Sequence, residues 1–176
     1  MRPDPCPSRH AVCTWRRVNP NLEGPMATDN ISIVKRVIDE VWNQGKLDVL
    51  PQLVSPQIVG SDSLAGDLKG MDGFERHIKA MRTAFPDLRL RTDDILNVGD
   101  RVIVRWTATG TNRGTLAGIP ATNKQGTVHG MTLNTIRDGK LVEMHASWDT
   151  LSMIQQLGLV PSMEKLAQGN MGTARA

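Results

Sequence analysis

The sequence contains no tyrosine and only two phenylalanines. A phenolic donor for holding an enolate oxygen is therefore absent. Aromatic surface for stacking nucleobases is scarce, resting on four tryptophans. Both cysteines, Cys6 and Cys13, stand near the N-terminus, so a disulfide can staple nothing beyond that segment, and a reducing cytoplasm suits the chain. No apolar run approaches the ~18 residues that would cross a bilayer, which argues against a membrane partner. The first 25 residues hold five prolines and lack the apolar stretch of a secretory signal. Positive charge is also thin. The formal net charge is +3, but Arg2, Arg9, Arg16 and Arg17 against Asp4 and Glu23 place +2 of it in residues 1–25. No helix or strand concentrates Lys and Arg, so nucleic acid is not an expected partner.

Several chemistries lack their residues. Gly110, Gly114 and Gly118 are spaced by four between two strands, which does not make a phosphate-binding loop. The four histidines, His10, His77, His129 and His145, show no i, i+2 or i, i+4 pairing for a metal. A serine nucleophile elbow is missing. The expectation is chemistry with no cofactor and no metal, performed by carboxylate or imidazole.

The segments that are present divide into three. Residues 1–25 read as a disordered extension, with Met26 a possible native start; 26–160 read as one folded domain; 161–176 read as a loosely ordered tail. Within the domain, Ile31, Val34, Val37, Ile38, Val41 and Trp42 recur at helical spacing, and Gly45 ends that helix. A short helix over Leu47–Val54, interrupted by Pro51, follows. Ile58–Ser61 is a weak strand candidate, and Gly66 to Gly73 reads as a turn-rich connection. Asp72 is a candidate cap for a helix with the stripe Phe74, Ile78, Met81 and Phe85, stopped by Pro86.

Beyond Pro86 the apolar period changes from 3.6 to 2. Leu88 to Val98 reads as one strand with an irregularity at Asp93-Asp94, and strands over Val102–Thr111, Thr127–Arg137 and Leu141–Asp149 follow. Asp138-Gly139 is the strongest hairpin signal, because glycine accepts the positive φ of a type I′ turn. A last helix covers Leu151–Leu157. Helices first and long antiparallel strands afterwards predict an α+β fold with the helices on one face of a curved sheet.

The last strand is the richest in chemistry. Alternation puts Glu143, His145, Ser147 and Asp149 on one side and Val142, Met144, Ala146 and Trp148 on the other. The polar side is either a catalytic row or a solvated or subunit-facing surface. Asp149 either caps the following helix or combines that role with function. His129 is either a core histidine or an acid–base group, and Arg105 either an ion-pair partner or an anion binder. Trp42, Trp106 and Trp148 suit a core or a pocket wall.

Five stretches resemble the SnoaL-like polyketide cyclase (ester cyclase) family: Thr109-Gly110-Thr111-Asn112-Arg113-Gly114, Ala117-Gly118-Ile119-Pro120-Ala121-Thr122-Asn123-Lys124, Arg137-Asp138-Gly139-Lys140-Leu141-Val142-Glu143, Ser147-Trp148-Asp149 and Gln155-Gln156-Leu157-Gly158. Trp42-Asn43-Gln44-Gly45 is similar too. The resemblance implies the nuclear transport factor 2-like fold: a cone-shaped, curved, mixed but mainly antiparallel sheet wrapped around N-terminal helices, with an interior apolar pocket. It further implies a homodimer through the sheet. Characterised members close a polyketide ring by an intramolecular aldol reaction, using an aspartate on the last strand and no cofactor. Aligned on Asp138-Gly139-Lys140, that aspartate falls at Ala146, Asp149 matches a second aspartate of the region, and an assisting histidine falls near Thr132. Asp149, with His129 or His145, is then the expected acid–base set, in a pocket walled by Trp42, Trp106, Met131, Met144 and Trp148. The expected ligand is a small apolar carbonyl compound, cyclised or isomerised; the alternative is a non-catalytic binding or protein-interaction module on the same fold.

Overall fold

The computed structural model describes residues 25–161, with side chains from residue 29. Cys6, Cys13, His10 and the tail expectations for 1–24 and 162–176 lie outside the described residues. Helix α1 spans Pro25–Arg36 and runs directly into a π-helical segment, Val37–Asn43. Val34, Val37, Ile38 and Val41 recur three and four apart, and all are buried. The wider π turn ends at Gly45 (φ +72°), a left-handed conformation that glycine adopts without a Cβ clash. Its end is pinned to the sheet. Asn43 donates to the carbonyl of Leu90 (2.9 Å) and accepts from the Leu90 N–H (2.7 Å). Arg82 meanwhile donates to the carbonyls of Trp42 and Asn43.

Helix α2 is only Leu50–Leu53, shorter than the helical pattern suggests, because the chain turns extended at Val54. Strand β1, Val54–Asp62, follows and is longer than the weak signal at Ile58–Ser61 indicates. The supposed connection after it contains a strand, β2 (Gly66–Lys69), antiparallel to β1. Helix α3, Gly70–Ala84, carries no side-chain cap, so Asp72 lies in its first turn rather than preceding it.

Strands β3 (Arg89–Val98), β4 (Arg101–Thr111), β5 (Gln125–Arg137) and β6 (Lys140–Trp148) form the meander, and α4 spans Thr150–Gln156. The β3–β4 register shifts between Thr92 and Asp94, at the irregularity expected there. Asp138 (φ 49°) and Gly139 (φ 71°) both adopt positive φ, as the hairpin requires.

The sheet order is β2-β1-β6-β5-β4-β3, with β1 parallel to β6 and the remaining pairs antiparallel. The sheet is curved, and the fold is the expected α+β cone. Phe74, Ile78, Val102 and Val104 are almost wholly buried where α3 and the sheet meet the core. Each such side chain stabilises the fold by about 1.5–3 kcal/mol relative to exposure.

Candidate functional site

A cavity opens between the inner face of the sheet and the helices. Its walls are overwhelmingly apolar: Ile38 and Trp42 from the π segment, Met81 from α3, Trp106 from β4, and Met144 and Trp148 from β6. Residues two apart on a strand share a face, so Met144, Ala146 and Trp148 enter together. Among the described residues, two titratable side chains line it, Asp62 and His77, and no Lys or Arg does.

Asp62 closes β1 and has two jobs. Oδ1 accepts from the N–H groups of Leu64 (2.8 Å) and Ala65 (3.0 Å), fixing the turn into β2. Oδ2 accepts from the indole Nε1 of Trp148 at 2.9 Å and lies 3.8 Å from Nε2 of His77. Those bonds leave Oδ2 room to accept one more from a ligand. The two side chains are 7% and 6% exposed. Burial pushes the His77 imidazole below its ordinary value of 6.5, opposed by the nearby Asp62 carboxylate. Burial thus favours the neutral imidazole, and Trp42 holds it by an edge-on contact at 5.6 Å.

Polar groups deeper in the sheet are hydrogen-bonded. Trp106 Nε1 donates to the Thr132 hydroxyl oxygen at 2.7 Å, and Asn134 donates its amide to the Val102 carbonyl at 3.1 Å. Gly130 lies opposite both Trp106 and Trp148 in the ladder. A Cβ there would meet the Trp106 ring at 2.4 Å and Cβ of Trp148 at 2.7 Å, so both indoles depend on that glycine.

Of the residues singled out from sequence, Trp42, Trp106, Met144 and Trp148 line this cavity. Met131 does not; it is 52% exposed on the opposite face, because odd positions of β5 point away from the helices while Thr132 and Asn134 point in. Asp149, His129 and His145 are also outside. Asp149 is exposed, and its carboxylate accepts from the Ser152 N–H (2.8 Å) as the N-cap of α4. His129 sits on the outer face beside Thr107; the Thr107 hydroxyl donates to Asp93 (2.6 Å), so Nδ1 of His129 is the donor of their 3.0 Å bond. Arg105 faces Asp93 there at 3.5 Å.

His145 joins another outer-face chain, between Ser61 (2.8 Å) and Glu143 (3.0 Å), and Glu143 also accepts from Thr135. Those two hydrogen bonds, first from His145 and then from Thr135, hold the Glu143 carboxyl below the usual carboxylate range. The structure thus brings none of the three expected acid–base residues together inside the cavity. It brings Asp62 and His77 together instead. His77 had a signal, because it shares the helical stripe of Phe74, Ile78 and Met81. Asp62 had a weaker one, continuing the alternation of Ile58 and Gly60.

Residues 32–157 match the family model described as SnoaL-like polyketide cyclase. The chain belongs to that family. A candidate SnoaL-like polyketide cyclase from Jannaschia sp. CCS1 is similar in structure (TM-score 0.72, 26% identity, covering 79% of this chain and 98% of that one). So are IdmH, a candidate polyketide cyclase from Streptomyces antibioticus (0.65, 27%, covering 73% and 98%), and AclR, a candidate hydroxylase from Streptomyces galilaeus (0.67, 25%, covering 76% and 98%). No curated protein matches the chain. The SnoaL-like relationship accounts for the cone fold, while Ala146 stands in the cavity wall where the resemblance expects an acid.

Among the described residues, no helix is long and apolar enough to cross a membrane, and no cluster of three or more His, Cys, Asp or Glu side chains could hold a metal.

Proposed function

We propose that this SnoaL-like protein is a cofactor-free acid–base enzyme acting on a small, neutral, apolar carbonyl compound, which it cyclises or isomerises. The observation that carries this reading is the pair of buried titratable groups, Asp62 and His77, meeting at 3.8 Å on an otherwise apolar wall. Asp62 Oδ2 takes a proton from the carbon α to the carbonyl, and the C–H electron pair passes into an enolate. The enolate carbon then forms a new C–C bond or is reprotonated elsewhere, and the proton returns from Asp62. His77, neutral in its buried site, exchanges the proton with Asp62 between steps.

The charge balance of the wall supports the substrate class. With one carboxylate and no cation facing the cavity among the described residues, an anionic ligand would sit unpaired beside Asp62 in a poorly solvated space. The polyketide cyclases named among the similar structures favour a polyketide-like ketone or ester. The enzyme works in the cytoplasm as a homodimer joined through the outer sheet face. Support for the dimer comes from Leu96, Val98, Met131 and Val59, each about half exposed on that face.

The test is α-hydrogen exchange. α-Tetralone incubated with the protein in D2O should gain deuterium at its α-carbon faster than in buffer, measured by proton NMR. Exchange no faster than buffer, with the ketone bound, contradicts the enzyme reading and favours a binding module.

A further inference from the structure

An enolate forming beside Asp62 needs its oxygen stabilised, and the usual sources are missing. There is no tyrosine in the chain and, among the described residues, no Lys or Arg on the cavity wall. The neutral donors facing the cavity are mostly committed. Trp148 Nε1 donates to Asp62, Trp106 Nε1 to Thr132, and the Asn134 amide to Val102. His77 turns Nε2 towards Asp62. Thr109 also borders the cavity, but strand parity puts its side chain on the outer side with Thr107.

One hydroxyl is different. Thr132 lines the cavity and uses its oxygen as acceptor for Trp106 Nε1 at 2.7 Å. A threonine hydroxyl carries one hydrogen, and this one has no acceptor among the described residues. The incoming N–H bond fixes the hydroxyl oxygen and polarises it, which makes its own hydrogen a better donor.

The placement of Thr132 relative to Asp62 follows from the ladder. Asp62 pairs with Ala146 across β1–β6, and Ala146 pairs with Thr132 across β6–β5. The three form one row on the inner face, with Asp62 and Thr132 two strand spacings, roughly 10 Å, apart. The residue between them has only a methyl group. That leaves open wall between the two side chains, over which a ketone can turn its α-carbon to the carboxylate and its carbonyl oxygen to the hydroxyl.

Resting on the acid–base reading above, we infer that Thr132 is a catalytic residue: its hydroxyl donates to the carbonyl oxygen of a neutral ketone or ester spanning the Ala146 gap, and holds the enolate oxygen while Asp62 carries the α-proton. No proton leaves Thr132. The hydrogen bond strengthens as the carbonyl oxygen gains charge, which is the condition for lowering the barrier rather than merely binding.

The experiment uses α-tetralone labelled with 13C at the carbonyl, bound to the full chain, with infrared and α-deuterium exchange as readouts. In the wild type the carbonyl band should lie below its position in an apolar solvent. Thr132→Val should return the band to the apolar-solvent position and slow exchange by about 10²–10³-fold. Thr132→Ser, which keeps the hydroxyl, should preserve both. A wild-type band at the apolar-solvent position overturns the inference without any variant, so a Thr132→Val that fails to fold does not protect it. Thr132→Val with unchanged band and exchange, while Asp62→Asn abolishes exchange, removes Thr132 and leaves the acid–base reading standing. Asp62→Asn as active as wild type removes that reading, and this inference with it.

Discussion

Trp148 donates its indole N–H to Oδ2 of Asp62 at 2.9 Å, across the junction where β6 runs parallel to β1. Ser63 tightens the same corner, accepting from the Trp148 backbone N–H (3.2 Å) and donating to the Ala146 carbonyl (3.4 Å). One carboxylate thus holds the β1–β2 turn with Oδ1 and faces the cavity with Oδ2. A rigid indole fixes it there, so its position does not depend on a flexible loop.

Gly130 is where the two wall indoles leave room for nothing but hydrogen. Gly130→Ala should lower stability by about 1–3 kcal/mol through overpacking. It should also weaken ketone binding by shifting Trp106 or Trp148. Urea unfolding and a ligand titration check both effects.

His77 makes stability depend on pH with a definite sign. Burial depresses its folded-state value, so the unfolded chain takes up the proton first as pH falls. Its contribution is full above the ordinary value of 6.5 and is lost as pH falls from there through the depressed folded value. Denaturation midpoints measured from pH 8 to pH 5 should decline in wild type, and His77→Gln should flatten that part of the decline.

Asp149→Ala should cost about 1 kcal/mol of stability, the usual consequence of losing an N-cap. Exchange of bound α-tetralone should be unchanged, because the side chain is exposed and bonded to Ser152. Kinetics and a melting curve on the same preparation separate the two effects.

Leu96, Ile103, Leu133, His145 and Ser61 form one continuous cross-strand row on the outer face. Met131 lies one row away, opposite Arg105. If two copies join there, Met131→Lys should shift the protein from dimer to monomer in sedimentation, since a second cation beside Arg105 would be desolvated at the contact. The cavity, on the other face, should keep its ligand affinity.

The meander was legible because its signals are local. Alternation on β6 assigned Met144, Ala146 and Trp148 to one face, and Asp138-Gly139 marked the turn by a backbone demand that few residues meet. β2 was missed because its four residues include only one buried side chain, Leu68, so no period can emerge. The site was missed for a longer-range reason. Asp62 looks like a turn residue, and nothing within β1 reveals that a parallel pairing with β6, some eighty residues later, brings Trp148 and the cavity to it. His77 was readable from its helical stripe, but its meaning depends on Asp62. Asp149, by contrast, looked functional through its position in a chemically rich strand, yet the first turn of α4 consumes its carboxylate.

The most direct test compares wild type with Asp62→Asn for deuterium incorporation at the α-carbon of α-tetralone, with binding measured on the same samples. Asparagine keeps the shape and can still accept from Leu64 and Ala65, although its amide nitrogen cannot accept from the Trp148 indole. The account predicts a loss of exchange of about 10²–10⁴-fold with the ketone still bound. Undiminished exchange in a folded Asp62→Asn protein would contradict it.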